Sequence, residues 1–220
     1  MKIRSIYKHM EKGMAAVPSE SNCKIIFRHS IRSNIINPEC CEKVELTNEG
    51  IVLSRWFGSN IDEEIGYIAS SSCKRNIDTC KYILEGKCIT KEIVIASNEL
   101  EWPQAKDLEL SSKVFKQYNF ECTTIIHKLK TETLPGFNNI KATSKIILDY
   151  IFNTGGNKNN IDLYCTHDFQ MAILYAELFD YDPIQKNIKW PMMLEGMIFW
   201  GKREHFWCAW RNEIKEFINY

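Results

Sequence analysis

The chain has 220 residues, with 28 Lys and Arg against 28 Asp and Glu, so its formal net charge is zero. A nucleic-acid binder needs a surplus of cations to neutralise phosphates, and this chain has none overall. At 45% hydrophobic and 25% charged, the composition is that of a folded globule, and the length suits one domain with a substantial core.

The first twenty residues, MKIRSIYKHMEKGMAAVPSE, hold no continuous apolar run of the kind a signal peptide needs. The nine cysteines, odd in number and in a chain that is not small, are therefore read as reduced thiols of a cytoplasmic protein. The only adjacent pair is Cys40-Cys41 and no Cys-x-x-Cys spacing occurs, so a zinc ribbon has no support. No apolar run approaches the ~18 residues of a membrane helix, so neither a membrane nor a nucleic acid is expected as a partner.

Lys24-Ile25-Ile26-Phe27 is a short β-branched and aromatic run that stops in the polar stretch Arg28–Asn34, the pattern of a buried strand feeding a loop. Leu46–Gly58 reads as a helix with Thr47 as N-cap. Ile51, Leu53, Trp56 and Phe57 are its expected apolar face, and Gly58 its C′ residue. A second strand, Ile65–Ala69, runs into Ser70–Arg75, followed by a helix from Arg75 to Leu84 that stops near Gly86. Residues 93–96 read as a strand, and the weakly patterned region to Gly136 holds a helix from Ser111 onward. A helix over Lys141–Phe152 ends at Gly155-Gly156. The third strand-to-loop transition, Ile161–Asp168, leads into a helix over Phe169–Phe179. Met197–Trp200 and His205–Trp210, with a turn at Gly201-Lys202, form a hairpin. Strands alternating with helices imply an α/β protein, a three-layer α/β/α sandwich around a mostly parallel sheet, in a single domain over 1–220.

Three strand ends thus deliver Arg28, His29 and Arg32, then Arg75, then His167 and Asp168. Active groups in open α/β sheets gather at the carboxyl ends of the strands. Guanidinium forks match phosphate or carboxylate oxygens, and positive groups there stabilise the charge developing on a phosphoryl group. A histidine can serve as covalent nucleophile, and a nearby carboxyl can protonate a leaving oxygen. Each residue also has a structural alternative. Arg28 and Arg32 can be surface ion-pair partners, His167 a structural histidine, Ser70–Ser72 a turn, and Asp168 a helix cap.

Arg28-His29-Ser30-Ile31-Arg32 resembles the RHGxR motif of the histidine phosphatase superfamily, in its histidine acid phosphatase branch. Leu46-Thr47-Asn48-Glu49-Gly50 with Gly58 is similar to the helix that follows it, Ser71-Ser72-Cys73-Lys74-Arg75 with Thr79 and Gly86 to the next motif, and Thr166-His167-Asp168 to the late HD motif. The four matches keep family order and span residues 25–179. The resemblance implies a phosphoglycerate mutase-like fold and a phosphohydrolase acting through a phosphohistidine on His29. Arg28, Arg32, Arg75 and His167 are then the phosphate ligands, Asp168 is the proton donor, and no metal or other cofactor is required. Three positions depart from the family. Ser30 replaces glycine, which predicts a loop less free to approach phosphate, Asn34 replaces a common proline, and Cys80 replaces alanine. In the mutase-like branch the acid is a glutamate from a later insertion, a role open here to Glu99 or Glu101.

The resemblance also implies lids around the common core, here 33–45 and 97–140, both without a basic cluster. That favours a small phosphorylated substrate, a monophosphate ester, over an inositol polyphosphate. The aromatic residues near Trp102, Trp190 and Phe199–Trp210 can contact an organic leaving group, with core packing the expected role of most of them. Two other readings stay open: a phosphomutase using the same phosphohistidine, and a non-catalytic phosphate- or phosphoprotein-binding module.

Overall fold

The computed structural model describes residues 5, 7–36, 38–90, 93–156, 159–184 and 189–220. Its centre is a pair of apolar strands, Cys23–Arg28 (β1) and Asn160–Thr166 (β4), buried along almost their whole length. Strands with both faces buried belong inside a parallel sheet flanked by helices. They pair in parallel, Cys23 opposite Ile161 and Arg28 opposite Thr166. Glu64–Ser70 (β2) adds in parallel on the far side of β4, and Ile95–Ala96 (β3) closes that edge. Beyond β1 the sheet turns antiparallel through Gly196–Lys202 (β5), His205–Trp210 (β6) and Glu213–Ile218 (β7). The order is β3-β2-β4-β1-β5-β6-β7, so the expected parallel centre carries an antiparallel wing of three strands.

Successive strand residues point to opposite faces, and the core divides accordingly. Ile25, Phe27, Leu163 and Cys165 pack on one side, under Lys8–Ala15 (α1), Asn48–Ser59 (α2) and Lys74–Gly86 (α3). Ile26, Tyr164, Met197 and Phe199 pack on the other, against Ile140–Asn153 (α6) and Asp168–Leu178 (α7). Between α3 and α6 the chain forms Leu108–Gln117 (α4) and Cys122–Thr131 (α5), which build a third apolar cluster with α7 through Ile125, Ile126, Phe137, Phe169 and Ile173. About half of segment 97–140 is therefore packed helix. The expected single helix after Ser111 is two, interrupted where Asn119 and Phe120 take φ of 49° and 58°.

Other expectations need correction in detail. Thr47 does cap α2, its Oγ1 accepting from the Gly50 amide at 3.1 Å. Gly58, however, lies inside the helix and not at its C′ position. A Cβ on Gly58 would lie 1.9 Å from the Ile83 carbonyl oxygen, so this glycine permits close approach of α2 to α3. Of the expected apolar face, Phe57 is buried in the core and Leu53 packs against it, while Trp56 is 37% exposed; Gly50, Ser54 and Gly58 complete the buried face, where backbones come close. The strand expected over 93–96 is two residues long, with 91 and 92 outside the described residues. The turn between β5 and β6 falls at Arg203-Glu204, because Gly201 and Lys202 still pair with Phe206 and His205. Helix α1 and strand β7 carry weak apolar signals and were not foreseen. Each is anchored by a few half-buried or buried side chains, Met10 and Met14 in α1 and Phe217 in β7.

Candidate active site

The parallel order β2-β4-β1 brings three carboxyl ends side by side, and the loops leaving them continue the pairing by one residue. His29 N donates to Thr166 O and Ser71 N to Cys165 O, both at 3.0 Å. The loops beginning at His29, Ser71 and His167 thereby become neighbours although they are distant in sequence.

His29 is 2% exposed. Its Nδ1 lies 2.7 Å from the Ser30 carbonyl oxygen, which can only accept, so Nδ1 carries the proton. Arg75 Nε, which can only donate, lies 3.2 Å from Nε2, so Nε2 holds the lone pair. Two independent partners therefore select one tautomer. Burial holds the His29 pKa well below its ordinary value, helped by His167 and by the charges of Arg28 and Arg75, with the Ser30 hydrogen bond acting in the opposite direction. The ring is neutral, and its Nε2 lone pair rests on the Arg75 N–H.

Arg75, buried in the first turn of α3, links most of the site. Besides His29, its Nη2 donates to His167 Nδ1 at 3.1 Å, and its Nη1 to the Cys41 carbonyl at 2.6 Å and to Cys73 Sγ at 2.9 Å. His167 accepts at Nδ1, so its proton sits on Nε2, facing Ser71 Oγ at 3.0 Å. Burial, then the Arg75 charge, depresses the His167 pKa, with Asp168 opposing. The two rings meet edge to face, 5.7 Å between centroids.

Arg28 ends β1 with Nη1 on the Pro191 carbonyl at 2.8 Å and Nη2 on Asp168 Oδ2 at 2.8 Å. Its Nε is buried without a hydrogen-bond partner among the described residues. Asp168 opens α7, and its Oδ1 accepts from the Phe169 amide at 3.0 Å. Burial pushes its pKa up, but Arg28, the Trp190 side-chain hydrogen bond, His167 and Arg32 outweigh it and leave the carboxyl below its ordinary value. Arg32 is half-buried, donates to Ser33 O at 2.9 Å and lies within electrostatic reach of Arg28, Arg75 and Asp168. Arg28 is thus in direct contact with Asp168, and Arg75 with both His29 and His167, while half-buried Arg32 acts on the group through its charge. Three guanidiniums, one carboxylate and two neutral imidazoles leave two positive charges, about the inverse of a phosphate monoester dianion.

Ser30 does not crowd this site. Its side chain is buried and donates to Gly50 O at 2.7 Å, and its amide donates to Thr79 Oγ1 at 3.1 Å, so the hydroxyl anchors the loop to α2. Glu101 accepts from the Ser72 amide at 3.2 Å and from its hydroxyl, on the α3 side, and exposed Glu99 accepts from Ser97 Oγ at 2.5 Å. Of the three candidate acids, Asp168 alone is ion-paired to Arg28, Arg32 or Arg75 among the described residues. Among the described residues no group of His, Cys, Asp and Glu is arranged to hold a metal ion, and no helix is long and apolar enough to cross a membrane.

Sequence reading missed the strap Trp190–Glu195, which touches both Arg28 and Asp168. Its one local signal is a lone glutamate in the apolar run Trp190–Ile198.

No protein-family model matches the sequence, and no curated protein sequence matches it significantly. Solved structures do match in fold. The mycobacterial glucosyl-3-phosphoglycerate phosphatase is 13% identical, with 88% of this chain and 100% of that chain covered and a TM-score of 0.54. A phosphoserine phosphatase from Entamoeba histolytica, solved with 3-phosphoglyceric acid, is 15% identical over 81% of this chain and 90% of that one, with a TM-score of 0.54. A phosphoglycerate mutase from Bacillus anthracis str. Sterne is 15% identical over 86% and 91%, also at 0.54. At such identities the likeness is one of fold: this chain has the fold of these phosphatases and this mutase.

Proposed function

We propose that the chain is a metal-independent phosphomonoester hydrolase that works through a phosphohistidine on His29, with Asp168 as proton donor and a small monophosphate ester as substrate. The observation that carries this reading is the neutral His29 ring, its Nε2 lone pair facing Arg75 and its pKa held down by burial and by the neighbouring His167, Arg28 and Arg75. Arg28, Arg32, Arg75 and His167 hold the phosphoryl oxygens. As the oxygens take over the Arg75 N–H groups, the Nε2 lone pair is released. Nε2 attacks phosphorus in line, the P–O bond to the alcohol breaks, and Asp168 protonates the departing oxygen. The resting carboxylate obtains that proton from the substrate monoanion. Water then attacks the phosphohistidine, Asp168 takes its proton, and phosphate leaves. The positive charge that magnesium supplies in other phosphoryl transfers comes here from arginine. Segments 33–45 and 97–140 frame the opening as lids, the first through the Cys41 carbonyl on Arg75.

The test is release of phosphate from p-nitrophenyl phosphate in EDTA. His29→Ala is expected to abolish release while phosphate binding persists. An active His29→Ala protein refutes the mechanism, and isomerisation without phosphate release assigns a phosphomutase instead.

A further inference from the structure

Glu195 is 1% exposed, and burying a lone carboxylate is costly unless it is fully paired. Its Oε1 receives Arg211 Nε at 3.0 Å and lies 3.1 Å from His9 Nε2. Its Oε2 accepts from the Met192 amide at 2.7 Å and from Arg211 Nη2 at 3.3 Å. Burial pushes the Glu195 pKa up, but these partners prevail and keep it ionised. The groups thus gathered come from α1, from the strap before β5 and from the turn between β6 and β7.

What the cluster organises lies at the phosphate site. Arg28 N donates to Glu195 O at 3.1 Å and Leu194 N donates to Arg28 O at 3.0 Å, so the strap is laced to the end of β1. Tyr7 Oη donates to Met193 O at 2.9 Å. Leu194 is held at φ 60°, a left-handed conformation uncommon for a bulky residue, which persists where its surroundings impose it. The strap then presents two groups to the site: the Pro191 carbonyl, which takes Arg28 Nη1, and the Trp190 side chain, hydrogen-bonded to Asp168. Arg211 Nη2 also reaches Trp190 O at 3.4 Å, so the cation paired with Glu195 steadies the residue that steadies Asp168.

We propose that Glu195 is a positioning residue of the phosphate site: by clamping the strap Trp190–Glu195 it sets the places of the Arg28 guanidinium and the Asp168 carboxylate. This rests on the hydrolase reading above. Glu195 touches neither substrate nor reacting atoms, and acts through Arg28 and Asp168. Releasing the strap frees Arg28 from Pro191 and Asp168 from Trp190. Phosphate binding then weakens, and proton delivery to poor leaving groups suffers most.

The experiment compares wild type with Glu195→Gln, Glu195→Ala and Trp190→Phe, by calorimetric titration with inorganic phosphate, by kcat and KM for p-nitrophenyl phosphate and for an alkyl phosphate, and by melting. Glu195→Gln keeps the shape and one acceptor for the Met192 amide. It is expected to lower kcat/KM by about 10- to 100-fold, the scale of losing an outer partner or of displacing a reacting group by an ångström. Phosphate affinity falls with it, and the alkyl ester is hit harder than the aryl ester. Glu195→Ala is worse on each count. Trp190→Phe lowers the alkyl-to-aryl ratio and leaves phosphate affinity near wild type. A folded Glu195→Gln protein with phosphate affinity, KM and alkyl-to-aryl ratio within about twofold of wild type overturns the positioning role, whatever its melting temperature. If that variant does not fold, an unchanged ratio in Trp190→Phe overturns it. A wild type that binds phosphate without hydrolysing it refutes the hydrolase reading alone, and phosphate affinity then decides the role of Glu195. A wild type that does neither refutes both.

Discussion

Replacing Asp168 by Asn removes the proton donor while keeping the side chain's size and an acceptor for the Phe169 amide. Arg28 Nη2 loses its own oxygen, because it and the Phe169 amide sit on different oxygens of Asp168 and Asn has one, so some phosphate binding is lost equally for every ester. Asp168 is held below the ordinary carboxyl pKa of about 3.9, so at pH 7 fewer than roughly 1 in 1,000 resting molecules carry its proton. The proton therefore arrives with the substrate, whose second ionisation lies near pH 6. The sign follows from counting protons. The reactive complex has one proton shared between phosphate and Asp168, and this one-proton state is the main one from below the ordinary carboxyl range up to about pH 6. Above that, kcat/KM for an alkyl phosphate falls about tenfold per pH unit. General acid catalysis contributes about 10²- to 10⁴-fold, or roughly 3–5 kcal/mol of barrier. Asp168→Asn is expected to lose that factor with an alkyl phosphate and much less with p-nitrophenyl phosphate, whose phenolate departs unprotonated. The assay is kcat/KM for both esters from pH 4 to pH 8, in parallel with Glu101→Gln. Equal losses for the two esters, or the leaving-group dependence appearing in Glu101→Gln instead, refutes the assignment of Asp168.

Two predictions concern the scaffold. Gly58→Ala puts a Cβ 1.9 Å from the Ile83 carbonyl oxygen, so α2 and α3 must part by on the order of 1 Å. Alanine ordinarily favours a helix over glycine by about 1 kcal/mol, but here overpacking reverses the sign, and a loss of about 1–3 kcal/mol with a melting temperature lower by roughly 2–10 °C is expected. A variant as stable as wild type refutes the close-approach argument. At the amino ends of β1 and β4, buried Lys24 Nζ donates to Asp162 Oδ2 at 2.9 Å and to Thr154 O at 2.7 Å. Asp162→Asn leaves the Lys24 ammonium without its counter-charge, and should cost about 3–5 kcal/mol, read as a denaturation midpoint lowered at unchanged m-value. A loss under about 1 kcal/mol would mean that water reaches Lys24.

Much of the site was legible because it lies where strand and loop chemistry is local. An apolar run that stops at Arg28, Ser70 or Thr166 marks a strand end, and the polar residues just beyond it need only the sheet to bring them together. Asp168 illustrates the limit of that reading. Its place at a helix start was consistent with a simple cap, and its carboxylate does receive the Phe169 amide, but its ion pair with Arg28 crosses from β4 to β1 and leaves no trace in either segment. The helix over 46–59 was legible in extent through Thr47, whereas of its buried face Phe57 and Leu53 were legible and Gly50, Ser54 and Gly58 were not. Small residues pack closely only when a partner backbone is present, and hydrophobic periodicity does not record that.

Composition and pattern by themselves determined an α/β sandwich, three strand ends bearing cations and imidazoles, and a neutral total charge. These depend on residue type and spacing within about ten positions. The tertiary structure alone decided which nitrogen of His29 keeps the lone pair, which carboxylate faces Arg28, and that Glu195 lies buried behind both. Tautomer, ionisation and orientation are set by partners about three ångströms away in space, and beside the adjacent Ser30 and Phe169 those partners, Arg75 for His29 and Arg28 for Asp168, come from segments dozens of residues away. The net charge of zero is thus an average over a site with two uncompensated positive charges. Burial and pairing, not composition, place them there.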